Sequence, residues 1–457
     1  MNINELEILK EIMNNGFKNQ RQISAKNGIS LGKVNEVLNK LKDDNYISNT
    51  HEILEKAKIL FKYNKPKRAV ILAAGYGMRM VPINLETPKG LLKIDDETLI
   101  ERIIKQLNEA GIKEIYIVVG FMKESFEFLI DDYNVQLICN PEYSTKNNLH
   151  SLYLARNYLE NSYIIPCDIW CKENLFIQNE LQSWYMTGDL YDENSEIIVN
   201  KKKEIIRSSK SAGKKRMIGI AYVNRDDAEL LAKRLEEFET NKSFDSYFWE
   251  EAAFKNEKMM FAARTVNNDK VIEINTYEQF REFSPDNSML KSAAIDTISN
   301  ALHVDNNYIK DITVMKKGMT NRSFIFRCNE TKYIMRIPGE GTDMLINRKH
   351  EHEVYEVLKG KDICDENIYL NPSNGYKITK YIENSRVCDP FNQEDLEKCM
   401  RKLSNFHSLN LKVKHTFDIF EQIDFYESLW NGNNSVYRDY KITKKNILSL
   451  KEYIDHQ

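Results

Sequence analysis

At 457 residues the chain has room for two to four domains of roughly 100–200 residues each. With 29% charged and 42% hydrophobic residues its composition is that of an ordinary globular protein, and a formal net charge of -3 gives no global case for nucleic acid or membrane binding. No apolar run approaches the ~18 residues of a membrane span, and the opening MNINELEILKEIM lacks the pattern of a secretory signal. Seven cysteines occur without a C-x-x-C pair, and Cys167 and Cys171 have no second pair to complete a zinc site, so free thiols in a reducing cytoplasm are expected.

The first sixty residues read as three short helices. INELEILKEIMNN has apolar residues at helical spacing, QRQISAKNG closes on Gly28, and Ser30 is placed to cap LGKVNEVLNKLKDD, whose Val34, Val37, Leu38 and Leu41 share a face. NYIS can start a small β wing. The segment resembles a winged helix-turn-helix domain. DNA is a partner this resemblance implies, through Lys33, Asn35 and Lys40, although Glu36, Asp43 and Asp44 on the same helix work against a phosphate-binding face. A packing or dimerising module, and with it a homodimer, is the alternative.

Pro66 and the basic KPKR mark a boundary. From there strands and helices alternate: RAVILAAG, TLIERIIKQLNEAG, EIYIVVG, ESFEFLIDDY, VQLICN, NNLHSLYLARNYL and SYIIPCD. Near-continuous apolar strands separated by amphipathic helices predict a parallel sheet covered on both faces, with ligands at the carboxyl ends of its strands. That places function at Ala74–Arg79, Gly120, Asn140 and Asp168.

LAAGYGMRM offers an anion what it needs. Gly75 and Gly77 let backbone N–H groups turn inward, Arg79 adds a permanent forked charge, and Lys89 follows on a loop stiffened by Pro88. With ETPKGLLKI the stretch resembles the signature of nucleotidyltransferases that join a nucleoside triphosphate to a phosphorylated small molecule. NPEYSTKNNLHSLYLA, Asn140 to Ala155, narrows the likeness to bacterial phosphocholine cytidylyltransferases over roughly residues 68–283.

The resemblance implies an α/β, Rossmann-like, mixed and mainly parallel sheet that moves CMP from CTP to phosphocholine with Mg2+. It implies that Leu72, Ala73, Ala74, Gly75, Tyr76, Gly77, Met78 and Arg79 cradle the triphosphate. Arg79 and Lys89 act on the transferred phosphoryl group, and Asn147, Asn148 and Ser151 help form the nucleotide and acceptor pocket. Asp168 is implied as a metal ligand and Glu273 as the second; Asn275 stands where the family often has aspartate, and Met78 where it often has Ser or Thr. A quaternary ammonium needs aromatic faces and a nearby carboxylate, which makes Trp170, Asp245, Tyr247 and Trp249 the choline-binding candidates.

Two other readings share these residues. A sugar-1-phosphate nucleotidyltransferase uses the same glycine loop and lysine, and a DNA-binding regulator could use the domain as a metabolite sensor. Phosphoethanolamine in place of phosphocholine also stays open.

From near Ser288, strands broken at Gly318 and at Asn329–Thr331, then a helix, another strand and further helices follow the order of a kinase-like small lobe. KGMTNRSFIF, YIMRIPG and INRKHEHEVYEVL resemble the nucleotide loop, the strand presenting a basic residue (Arg336) and the next helix of choline kinases of the aminoglycoside-phosphotransferase type, with Glu351 the expected partner of Arg336. No H-G-D or H-N-D loop appears, and the chain stops about where that loop is expected, so no choline phosphorylation is expected from it. The expected domains are therefore 1–60, 66–285 and 290–457.

Overall fold

The computed structural model describes residues 1–208, 213–285, 287–290, 292–315, 321–339, 341–430, 432–451 and 453. It divides into two compact units, Met1–Ser292 and Ala293–Gln457.

The N-terminal unit begins with α1 (Ile3–Asn15), α2 (Gln20–Asn27), α3 (Leu31–Asp43) and α4 (Glu55–Tyr63). Asn2 and Glu5 form a capping box on α1, Gly28 ends α2 in the left-handed region, and the Ser30 hydroxyl accepts from the Lys33 N–H at the start of α3. The wing is reduced to one antiparallel bridge between Ile47 and Ile53. Helix α4 lay outside the sequence-based expectation; its buried Ala57 and Phe61 complete the small core.

That core also takes in Leu181, which belongs to the following domain. Around it, Lys10 on α1 sits 3.2 Å from the fully buried Glu180, which Arg264 approaches from its other side at 3.2 Å. Asn179 donates to Asn14, and Gln182 to Glu7. Hydrophobic insertion and paired charges thus join the four helices to the domain behind them in one unit.

The second domain is built on β1 (Arg68–Ala73), α5 (Leu99–Glu109), β2 (Glu114–Val119), α6 (Phe128–Tyr133), β3 (Gln136–Cys139), α7 (Asn148–Leu154), β4 (Ser162–Pro166), β5 (Ile169–Cys171), β6 (Trp184–Tyr191), β7 (Ile197–Val199), β8 (Glu204–Arg207), β9 (Lys215–Val223), α8 (Arg225–Glu239), β10 (Lys258–Val266), β11 (Val271–Glu273) and α9 (Tyr277–Phe283). Among the described residues the main sheet runs β3-β2-β1-β4-β9-β6-β10-β8-β7, with Phe254–Lys255 pairing on β10. The pairs β1–β2, β1–β4, β2–β3 and β6–β10 are parallel; β4–β9, β6–β9, β8–β10 and β7–β8 are antiparallel.

Side chains alternate across the pleat. Ala69, Ile71 and Ala73 enter the core under α5, whose Ile100, Ile103, Ile104 and Leu107 face them. Val70, Leu72 and Ala74 enter the opposite core, closed by α7 and α8 through Leu149, Leu152, Leu231 and Leu235. The chain steps from β1 outward through β2 and β3, then crosses to β4 on the other side of β1. This reversal opens a crevice at the carboxyl ends of β1 and β4.

The C-terminal unit carries α10 (Ala293–Leu302), β12 (Lys310–Val314), β13 (Asn321–Cys328), β14 (Thr331–Pro338), α11 (Arg348–Leu358), β15 (Asn367–Leu370), β16 (Lys377–Lys380), α12 (Gln393–Ser408), α13 (Ile419–Ser428) and α14 (Tyr440–Leu448). Its antiparallel sheet has the order β12-β13-β14-β16-β15, and Asn329 and Glu330 turn β13 into β14 with positive φ. The expected pair is present: Arg336 donates to both carboxylate oxygens of Glu351. Lys316–Thr320 of the expected nucleotide loop lie outside the described residues.

Candidate active site

The crevice beside β1 is a cleft of 570 Å³, walled by the glycine loop, by Tyr143–Asn148 and by Pro166–Asp168. Two glycines shape it. Gly77 adopts φ +62, which favours a residue without Cβ and swings the chain toward Lys89. At Gly120 a Cβ would stand 2.8 Å from the Ala74 carbonyl oxygen and 2.7 Å from Tyr143 Cβ, so its absence lets the wall carrying Tyr143 close on β1.

The charged groups meet at one point. Lys89 Nζ donates to Oδ2 of Asp168 at 2.5 Å and to Oδ1 of Asn275 at 3.1 Å. Arg79 Nη2 donates to the same amide oxygen at 2.8 Å. Asn275 is delivered by a two-stranded ribbon in which β11 pairs antiparallel with β5, and the Ile274 N–H donates to the Asp168 carbonyl. A capping box of Thr276 and Gln279 at the start of α9 then fixes the turn.

The asparagine is suited to its place. Its oxygen accepts from two cations, while its Nδ2 donates to Glu273 at 2.5 Å, an arrangement a carboxylate could not make. Asn275 adds no negative charge, so beside the two cations stands one carboxylate, Asp168, bonded to Lys89, and the cluster keeps a surplus positive charge facing the cleft.

Other expected site residues fall differently. Asp168 Oδ1 is buried and has no hydrogen-bond partner, a free anionic ligand atom in the cleft wall, and a divalent cation fits it. Glu273 is not at that wall. Its two oxygens are taken by Asn275 and by Arg216 at 2.7 Å, so it stands behind the site and orients the amide. Burial, together with the charge of Asp168, raises the neighbouring Cys167 thiol to about 12, which keeps it neutral beside the charged cluster.

The two asparagines of the 147–148 pair act mainly as staples. Asn147 Nδ2 donates to the Ser246 carbonyl at 3.0 Å, and Asn148 Oδ1 accepts from the Trp249 N–H at 2.8 Å. Ser151 accepts from Asn140 at 3.0 Å and completes that corner. Together they pin the segment 245–249 against the start of α7, with Ser246 at the cleft.

Of the four choline candidates, Asp245 and Tyr247 lie on this segment, and Tyr247 is exposed. The two tryptophans do not belong with them. Trp249 is only 1% exposed, packed between Tyr185 and Phe261 in the core. The ring of Trp170 is covered by the Arg102 guanidinium at 4.2 Å and edged by Phe283. Spacing in the sequence could not separate an aromatic that fills the core from one that faces a ligand. Tyr143 and Lys146, which sequence reasoning did not single out, do line the cleft.

Comparison with known proteins agrees with this arrangement. The family model for the MobA-like NTP transferase domain matches residues 69–196, that for winged helix-turn-helix DNA-binding residues 1–48, and that for choline/ethanolamine kinase residues 312–457. The choline-phosphate cytidylyltransferase of Streptococcus pneumoniae is 30% identical over 221 residues, 47% of this chain and 96% of the relative. The chain belongs to the choline-phosphate cytidylyltransferase family. A 2-aminoethylphosphonate cytidylyltransferase from Lancefieldella rimae is 32% identical over 40% of this chain and 77% of its own length. A solved structure of the Streptococcus pneumoniae CTP:phosphocholine cytidylyltransferase covers 48% of this chain and 98% of its own, at 28% identity and a TM-score of 0.45. Enzymes of this nucleotidyltransferase kind typically use a divalent metal, and the orphaned oxygen of Asp168 is where this cytidylyltransferase would hold it.

Proposed function

We propose that residues 66–285 transfer CMP from CTP to phosphocholine, releasing pyrophosphate and CDP-choline. The observation that carries this reading is the convergence of Arg79, Lys89, Asp168 and Asn275 at the strand ends of a domain aligned over nearly the whole length of a choline-phosphate cytidylyltransferase.

An oxygen of the phosphocholine phosphate attacks the α-phosphorus of CTP in line, forming the new P–O bond as the bond to pyrophosphate breaks. The acceptor is already an anion, so no general base is needed. Incoming triphosphate oxygens compete with Asp168 for Lys89 and with Asn275 for Arg79, and the surplus positive charge of the cluster then pairs with the phosphates. The backbone of the Gly75–Arg79 turn aligns the triphosphate, and most of the rate gain comes from that alignment. Mg2+ bound through Asp168 would neutralise charge on the phosphates. On the acceptor side Asp245 and Tyr247, which flank the cleft-lining Ser246, are the groups proposed for the trimethylammonium, one by charge and one by its ring.

Both substrates are soluble metabolites, in keeping with a cytoplasmic enzyme, and among the described residues no helix is long and apolar enough to cross a membrane. DNA binding by the N-terminal helices is a weaker proposal. Lys33 is paired with Glu36 at 2.6 Å and Lys40 with Glu5 at 2.7 Å, which leaves the two expected groove lysines largely neutralised.

The test is pyrophosphate release with Mg2+ and CTP plus phosphocholine, phosphoethanolamine or 2-aminoethylphosphonate, set against UTP plus glucose 1-phosphate. Release with CTP and phosphocholine is expected to exceed the others. Turnover confined to sugar phosphates would sink the proposal, and faster turnover of the phosphonate would reassign the acceptor.

A further inference from the structure

The wall 140–147 and the segment 240–249 are joined a second time, by a ring that runs back from Lys146 in the cleft wall. His150 on α7 is buried between two carboxylates, with Nδ1 2.9 Å from Oε2 of Glu239 and Nε2 3.3 Å from Oε2 of Glu142. Lys146 closes the ring, its Nζ 2.5 Å from Glu239 and 3.2 Å from Glu142. The Tyr153 ring lies 6.0 Å from the imidazole, with Arg156 over its far face.

Glu142, His150 and Glu239 have the make-up of a metal site. The lysine argues otherwise. Its ammonium already stands on both carboxylates, and the histidine meets them through different ring nitrogens, so a metal would have to displace one cation and break one contact. Read as ion pairs, two acids face a lysine and an imidazole whose Nδ1 is hydrogen-bonded to Glu239, while its Nε2 stands beside Glu142 without hydrogen-bond geometry. Burial pushes the Glu239 carboxyl up, but hydrogen bonds from Lys146 and His150 outweigh it and hold the group below its ordinary range.

What the ring connects matters more than its own stability. Glu142 and Lys146 bracket Tyr143, Ser144 and Thr145 in the cleft wall. Glu239 ends α8 and begins the stretch leading to Asp245 and Tyr247, which is steadied by contact of Phe238 with Phe244 at 4.4 Å.

We infer that Glu142, Lys146, His150 and Glu239 form a latch that fixes the acceptor side of the cleft, His150 and Glu239 being positioning residues for the reaction proposed above, on which the inference rests. The triphosphate side hangs on β1 and the β5–β11 ribbon and does not depend on this ring. Opening the latch therefore acts on phosphocholine and spares CTP.

The test uses the full chain with Glu239→Gln and, as a milder variant that keeps size and polarity, His150→Gln. In each, KM for phosphocholine is expected to rise about tenfold while KM for CTP stays within about twofold. Hydrogen exchange of 240–249 is expected to quicken against the wild type. Equal rises in both KM values, or unchanged exchange in that segment, would overturn the latch. Exchange needs no turnover. If the wild type left phosphocholine unused while Glu239→Gln still quickened exchange in 240–249, the acceptor assignment would fall and the latch would stand.

Discussion

The side-chain oxygen of Asn275 accepts from Lys89 at 3.1 Å across 186 residues of chain, and it accepts from Arg79 as well. A neutral amide at this point leaves two cations with one carboxylate, that of Asp168, which is bonded to Lys89 alone of the two. Replacing it with Asp would cancel the surplus charge and place a carboxylate 2.5 Å from Glu273. Asn275→Asp is expected to raise KM for CTP several-fold at low Mg2+, with recovery as Mg2+ is increased. Steady-state kinetics over a magnesium series checks this, and a KM indifferent to both changes would contradict it.

Lys89 touches both Asp168, through the oxygen beside the orphaned one, and Asn275. Lys89→Met removes a charge that counts most when the α-phosphoryl group carries its greatest negative density. We expect kcat to fall by about 10²–10³ with the thermal midpoint little changed. Initial rates with a melting curve on the same preparation decide it.

Trp249 and Tyr247 are two residues apart and should behave oppositely. Trp249→Ala empties a core position 1% exposed and should cost about 3–5 kcal/mol, read as a large fall in thermal midpoint. Tyr247→Ala removes an exposed ring, and should leave the midpoint in place while raising KM for phosphocholine about three- to tenfold.

Leu181 lies in the core of the N-terminal helices although it belongs to the next domain. Leu181→Ala is expected to cost about 2–5 kcal/mol and to loosen those helices first. Faster proteolytic cleavage between residues 44 and 66 is the expected readout; unchanged cleavage would mean the helices hold without this anchor.

Burial pushes the Glu250 carboxyl up to about 7, against partial relief from its own backbone N–H and the Tyr185 hydroxyl, and its Oε2 is buried without a partner. Because the folded value lies above the unfolded one, the folded state holds a proton the unfolded state gives up first. The stabilisation is complete below about pH 4.5 and is lost as pH rises toward 7. Glu250→Gln should flatten that slope and be more stable than the wild type at pH 8, as thermal midpoints across the range will show.

Much of this was legible in the residues. β1, β2 and β4 could be read because strands buried on both faces are apolar throughout, and their ends pointed to Gly75–Arg79 and Asp168 before any contact was known. The Arg336–Glu351 pair followed from the resemblance of YIMRIPG and INRKHEHEVYEVL to a choline-kinase strand and helix. Long-range pairing was harder to see. Nothing local in KVIEINTYEQF shows that β11 will lie on β5; the resemblance offered Glu273 as a second metal ligand, and its pairing with Asn275 and Arg216 had no local signal. The tryptophans failed for a related reason, since one-dimensional spacing does not say which side of a strand or helix meets solvent. The Glu142–His150–Glu239 contact joins a loop to the end of α8 through α7 and had no sequence signal at all.

The β5–β11 ribbon also sets an order of events. Arg79, Lys89 and Asp168 leave the ribosome more than a hundred residues before Asn275, and their side chains cannot be completed as a cluster until Val271–Glu273 has paired with Ile169–Cys171. A nascent chain can therefore build most of its sheet before the cluster is complete. The complete cluster therefore exists only in a chain whose β11 has found β5, far back in the sequence.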